Sequence, residues 1–260
     1  MADPLFMVAM YGFLLLWVRV CSEEFTGAPS RMKRAAIAAG ALLGLCVMIK
    51  WVFVVLPLLA VAAWHLVARR KVPWPHAMWA AGASVAVALP WHLVQGLRHG
   101  EAFWKVYAGY HVWERATRSL VNPTGATFFF DILSVTDQGF LSLIALGLFG
   151  AILAWRNGER GALTAWAMAL ACFLPLQLSS TRMPHYLLAL IPLAAVGAAL
   201  GWSWLIGRYE KPVLFLGLAV TIVMVWAGGP LAHILEPDYS PGVKAACARG
   251  GSQAVPVIVM

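Results

Sequence analysis

Charge is what this 260-residue chain has least of: Asp, Glu, Lys and Arg make up 12% of it, roughly half the share usual in a soluble domain. That shortage excludes a water-soluble globular enzyme, whose surface needs the missing charges. Cysteine is sparse as well. Cys21, Cys46, Cys172 and Cys247 form no C-x-x-C pair and no metal-ligand spacing, so neither a disulfide framework nor a zinc site is indicated. A basic region ahead of the first apolar stretch is missing, as is a small-residue cleavage pattern behind it, which reads that stretch as a span and not a removable signal peptide. What the chain has instead is 62% hydrophobic residues and 13 Trp, gathered into blocks at about 4–18, 35–49, 51–68, 76–97, 138–155, 161–178, 185–206 and 212–233. The fold class this predicts is all-α: a polytopic transmembrane helical bundle of about eight spans. The formal charge of +8 is compatible with nucleic acid, but Trp-rich apolar blocks make membrane lipid the simpler partner, and no nucleic acid is expected.

Blocks two and three are separated only by Lys50. One helix over 35–68 would reach about 51 Å, well beyond a hydrocarbon core of roughly 30 Å, so a tight helical hairpin turning at Lys50 is preferred. Assigning the loops alternately puts Arg19, Arg31, Lys33, Arg34, Arg69, Arg70, Lys71, Arg156, Arg160, Arg208 and Lys211 on one side, eleven of the 19 basic residues. The positive-inside rule makes that side cytoplasmic and places both termini outside.

Most other ionisable groups then fall on the outer side, at helix ends and in the long segment 98–137. Ionisable groups kept beside apolar helices are costly and usually functional, which points to an interfacial site on the outer face. Within the long segment, Phe103, Trp104, Tyr107, Tyr110 and Trp113 interleave with Glu101, Lys105, His111, Glu114 and Arg115. From 101 to 118 this pattern predicts a helix lying in the interface plane, aromatic face toward lipid and charged face toward water or protein. Asn122-Pro123-Thr124-Gly125 is a turn signal, and Thr127 to Leu133 is read as a second short interfacial segment. An aromatic belt with snorkelling charges is the plainer alternative for each of these residues.

Lys50 is open to two readings: a turn residue that snorkels to the headgroups, or a compact cation for a lipid-linked phosphate. Arg182, just before Pro184-His185-Tyr186, either marks a helix end or offers its guanidinium fork to two phosphate oxygens. Asp3, followed by Pro4, either caps the first helix or serves as a general base or metal contact at the outer face. His92 and His185 divide similarly between belt residues and substrate contacts, and they do not give metal-ligand spacing on one helix.

Taken in order, Gly40 to Lys50 (GALLGLCVMIK), Pro90-Trp91-His92, His111-Val112-Trp113-Glu114-Arg115, and Arg182-Met183-Pro184-His185-Tyr186-Leu187-Leu188 with Pro192 resemble the GT-C glycosyltransferases of the bacterial aminoarabinose transferase and protein O-mannosyltransferase type. Asp3-Pro4-Leu5 resembles that family's T-D-x-L element. The resemblance implies a transmembrane GT-C domain over 1–233, followed by the start of an external segment over 234–260. It also implies an inner-membrane enzyme that takes a sugar from a polyprenyl-phosphate donor to a lipid or protein hydroxyl at the outer face. On it, Lys50, Arg182 and Arg115 meet the donor phosphate, Asp3 is the catalytic carboxylate, and His92, His111, His185 and Tyr186 contact substrate. No metal ligand is assigned, although an outer acidic cluster could hold a divalent ion. Lys50 is followed by Trp51 where the family pattern has Gly, and Phe does not follow Arg115. Family members are much longer, so the chain is expected to be a product lacking the N-terminal part. The alternatives are a transporter or flippase of a lipid-linked substrate, which predicts ionisable or broken-helix residues near mid-membrane, and a noncatalytic remnant.

Overall fold

A computed structural model describes residues 3–22, 29–114, 117, 128–130, 138–180 and 182–226. Among the described residues the long α-helices are α1 (Asp3–Val20), α2 (Pro29–Lys50), α3 (Val55–Ala68), α4 (Trp74–Trp104), α5 (Gln138–Arg156), α6 (Gly161–Leu178) and α7 (Ile191–Trp226). Short tight turns of 3-10 helix join α2 to α3 (Trp51–Val54) and precede α7 (Pro184–Ala189), and Lys105–Glu114 continues α4 as π-helix. The chain is a helical membrane bundle, with no strand among the described residues.

Its packing follows from where apolar and small side chains recur. Phe6, Met10, Phe13, Leu14, Trp17 and Val20 form a buried stripe at helical spacing on α1, while Leu5, Val8 and Leu15 point outward. α2 packs between α1 and α4, α3 lies against α1 and α6, and α6 and α5 both lie against α7. Glycine sets two of these contacts. A Cβ on Gly40 would come within 2.0 Å of the Ala80 carbonyl oxygen across α2 and α4, and one on Gly201 within 1.9 Å of the Gly147 carbonyl oxygen across α7 and α5. Gly40-x-x-x-Gly44 and Gly197-x-x-x-Gly201 thus act as close-approach surfaces of the kind that drives helix association in lipid, where apolar burial supplies no force.

The expected reversal at Lys50 is visible in these contacts. Lys50 leaves helical geometry at φ −150° and ψ 74°. It meets Asp3 at the start of α1, whereas His65, late in α3, meets Trp17 near the end of α1. α2 and α3 therefore run in opposite directions along α1, as in a hairpin, but with their arms packed on different neighbours. At the return end the Trp17 Nε1–H donates to His65 Nε2 at 3.1 Å, and His65 Nδ1 lies 2.9 Å from the Arg70 carbonyl oxygen. Because His65 accepts on Nε2, its proton resides on Nδ1 and donates to Arg70.

One sequence expectation is not confirmed and a second changes. Five helical stretches among the described residues are long and apolar enough to cross a bilayer, and the expected count of about eight is not confirmed by them. Part of the difference lies in Pro29–Ala68, a single 40-residue stretch that contains the Lys50 reversal. The break expected at 207–211 falls inside α7, which is assigned as one helix from Ile191 to Trp226. Gly217 nevertheless lies against the Trp202 ring, 3.2 Å from where a Cβ would stand. Fifteen residues of straight helix would separate them by about 22 Å, so α7 bends sharply between them, in the stretch holding Pro212.

The expectation that changes concerns the segment after α4. Gly100, at φ 53° and ψ −132°, adopts a backbone conformation that only glycine takes readily. There the chain doubles back, bringing Phe103 and Tyr107 onto Trp91 and His92. The predicted helix with its aromatic face toward lipid is thus partly inverted. Tyr107 turns inward to other aromatics, and Trp104, Tyr110 and Trp113 stay exposed. The expected turn at 122–125, most of 127–133 and the external segment 234–260 lie outside the described residues.

Candidate functional site

At the end of the bundle where α1 starts and α2 stops, a cleft of about 720 Å³ opens between the Trp51–Val54 turn, the end of α6 and the 184–189 turn. Lys50 supplies its charge and His185 an imidazole. Trp51, Phe53, Trp91, Tyr107, Met183 and Tyr186 supply most of its aromatic and soft surface. Prolines shape two of its walls: Pro175 removes a hydrogen bond from the last turns of α6 and lines the cleft itself, and Pro90 removes one in α4 immediately before Trp91, which lines it.

Lys50 is held from several sides. Its ammonium is ion-paired to the Asp3 carboxylate, and stands 4.9 Å from the Phe53 ring and 5.7 Å from the Tyr186 ring. The 3-10 turn makes this possible, since residues three apart eclipse one another and Phe53 comes to lie beside Lys50. Phe53 in turn meets Tyr186 edge-on at 4.9 Å. His185 completes the group from the same cleft. Tyr11 ties the turn carrying His185 and Tyr186 to α1, its hydroxyl donating to the Ala189 carbonyl at 2.8 Å.

A second layer orients the opposite wall. Trp51 and Tyr107 stack at 4.6 Å with their planes 11° apart. The Tyr107 hydroxyl is hydrogen-bonded to His92 Nε2, and His92 Nδ1 lies 2.7 Å from the Ala88 carbonyl oxygen. Donation from Nδ1 to Ala88 leaves Nε2 to accept from tyrosine. His92 therefore acts on the cleft through Tyr107. Among the described residues the Trp51 Nε1–H is buried without a hydrogen-bond partner. Such an orphan donor is costly, and it stands in the wall of the cleft beside Lys50.

Of the residues singled out from sequence, Asp3, Lys50, His185 and Tyr186 come together here. Arg182 is at the same end, with Nε and Nη2 donating to the Gln177 carbonyl at 3.2 and 2.9 Å, across the close of α6. Arg115 and the His111 side chain lie outside the described residues. Among the described residues no group of three or more His, Cys, Asp or Glu side chains converges as a metal ion would require. Trp51, Phe53 and Tyr107 are members that sequence reasoning did not assign to the site. Only their place beside Lys50 and in the aromatic run hinted at it.

The fold of this helical membrane bundle has a solved counterpart. The chain is similar in fold to ArnT from Cupriavidus metallidurans, solved bound to undecaprenyl phosphate. The TM-score is 0.69 at 20% identity, over 94% of this chain and 44% of that one. The present chain thus spans less than half the length of ArnT, a GT-C glycosyltransferase. No protein-family model and no curated protein matches the sequence. The likeness to ArnT, at that identity, is one of fold.

Proposed function

We propose that this chain belongs to a membrane glycosyltransferase and forms its lipid-phosphate pocket, taking a sugar from a polyprenyl-phosphate donor to a lipid or protein hydroxyl at the outer face of a bacterial inner membrane. The observation that carries this reading is the Lys50 ammonium set into a mostly apolar and aromatic cleft of about 720 Å³. A phosphate on a prenyl tail needs that combination: one cation for the headgroup, and apolar wall for the chain. The ArnT structure, bound to undecaprenyl phosphate, supports the donor class.

In this reading the donor phosphate takes the place of Asp3 on Lys50. The released carboxylate then accepts the proton of the acceptor hydroxyl as its oxygen bonds to the anomeric carbon. The bond from that carbon to the phosphate oxygen breaks, and Lys50 stabilises the departing polyprenyl phosphate. Arg182 and Arg115 add charge to the phosphate, His185, Tyr186 and His111 contact substrate, and His92 acts through Tyr107. A flippase reading is less favoured, because the ionisable groups of the cleft sit at helix ends and not at mid-membrane.

The test is binding of undecaprenyl phosphate to the purified chain by native mass spectrometry, together with transfer of radiolabelled sugar from a polyprenyl-phosphate donor in membranes. The proposal expects binding that Lys50→Ala weakens by roughly tenfold or more, the worth of one charge-assisted hydrogen bond. Unchanged binding and transfer in a protein carrying both Lys50→Ala and Arg182→Ala would overturn the phosphate roles.

A further inference from the structure

A second cavity lies at the other end of the bundle. It measures about 450 Å³ and is lined by Glu159, Gly161, Ser203, Trp204 and Arg208 among others, where α5, α6 and α7 meet. Gly161 begins α6, whose last residue Leu178 lines the Lys50 cleft. Seventeen residues of helix put the two cavities about 26 Å apart, close to the thickness of the hydrocarbon core. The second cavity therefore faces the opposite membrane interface, beyond reach of any ligand's headgroup in the first.

Its charges are arranged for a ligand of both signs. Glu159 and Arg208 share the cavity, and among the described residues neither has a side-chain hydrogen bond or an ion pair. An ordinary belt of aromatic and basic residues explains Trp204 and Arg208, but it does not need a carboxylate in the same cavity. An anionic headgroup would satisfy Arg208 and face Glu159 with like charge. A headgroup with a phosphate and a primary ammonium satisfies both, Arg208 by forked hydrogen bonds to phosphate and Glu159 by accepting from the ammonium. Trp204, held edge-on to Tyr209 at 6.3 Å, offers its ring to the same headgroup. The volume falls within the span of about 300–1,000 Å³ typical of ligand pockets.

We propose that this cavity is a binding site for an aminophospholipid headgroup of the phosphatidylethanolamine class, held between α5, α6 and α7 at the membrane interface opposite the Lys50 cleft. Its occupancy bridges the three helices and stabilises their contact. The test uses the full chain in detergent, titrated separately with phosphatidylethanolamine, phosphatidylcholine and phosphatidylglycerol, with lipid retention read by native mass spectrometry and unfolding temperature followed in parallel.

Phosphatidylethanolamine is expected to bind roughly tenfold more tightly than the other two, one charge-assisted hydrogen bond's worth of preference. Glu159→Gln should erase its advantage over phosphatidylcholine, and Arg208→Gln should weaken all three. Both side chains are exposed, so neither change threatens folding, and an unaltered unfolding temperature without lipid checks this. Equal or tighter binding of phosphatidylglycerol, or a lipid preference that survives both substitutions, would overturn the proposal. Undecaprenyl phosphate binding at the distant cleft should be unchanged in both variants, which separates this site from the transferase reading.

Discussion

Asp3 and Lys50 each occupy the helix end that suits their charge, a carboxylate in the first turn of α1 and an ammonium in the last turn of α2. The pair therefore has a structural use before any chemistry, fastening the start of one helix to the end of the next. Such a partly exposed pair contributes little to stability, about 1 kcal/mol or less. Its larger consequence is for ligands, since a phosphate must compete with Asp3 for Lys50. Asp3→Asn is thus expected to tighten undecaprenyl phosphate binding several-fold while abolishing sugar transfer, with the unfolding temperature nearly unchanged. Lys50→Ala is expected to lose both. Parallel binding and transfer assays check the pair, and weaker binding in Asp3→Asn would show that the carboxylate helps hold the phosphate instead of competing for it. The two residues could be picked from sequence because charge is rare and each sits at an apolar block's edge. Their contact could not, since 47 residues separate them and only the packing of α1 on α2 brings their ends level.

Among the helices, small residues and one glycine turn decide geometry. Gly201 leaves no room for a side chain against Gly147, whereas Gly82 has nothing within 4 Å of its Cβ position. Gly201→Val is therefore expected to force α7 off α5 and cost about 3 kcal/mol or more, with Gly82→Ala close to neutral. Thermal unfolding in detergent measures both, and equal stability of the two variants would remove the close-packing account. Gly100→Ala tests the fold-back after α4. Holding alanine at φ 53° and ψ −132° costs about 1–3 kcal/mol, which should loosen Tyr107 from Trp51 and speed hydrogen exchange over 101–114. The Lys50 reversal was legible because it is a local pattern, one charge between two apolar arms. The inward turn of Tyr107 was not, because stacking on Trp51 and bonding to His92 are long-range choices that an aromatic run leaves open.

For the whole bundle, the two ends differ in what they carry, and the membrane decides which faces out. The Lys50 end holds the large cleft, and the other gathers Arg69, Arg70, Arg156, Arg160 and Arg208. The excess of bases predicts that the second end faces the cytoplasm. Cysteine labelling tests this directly, because Cys46 and Cys172 are buried and Cys247 can be replaced by Ser. Cys21 stays in place as an internal reference at the basic end. Burial pushes its thiol up to about 11 against the pull of the Arg70 charge. A raised thiol value means less thiolate at neutral pH, so Cys21 should react slowly near pH 7 and roughly tenfold faster per pH unit until about pH 11. Against that quiet background, Ser179→Cys in the cleft should label in intact cells at pH 7.4 with a membrane-impermeant maleimide, and undecaprenyl phosphate should protect it. Asn157→Cys, exposed where α5 ends, should label only once the membrane is opened. The reverse order would place the Lys50 cleft in the cytoplasm. A transfer reaction there would draw on a donor pool on the other side of the bilayer, so outer-face chemistry depends on this single measurement.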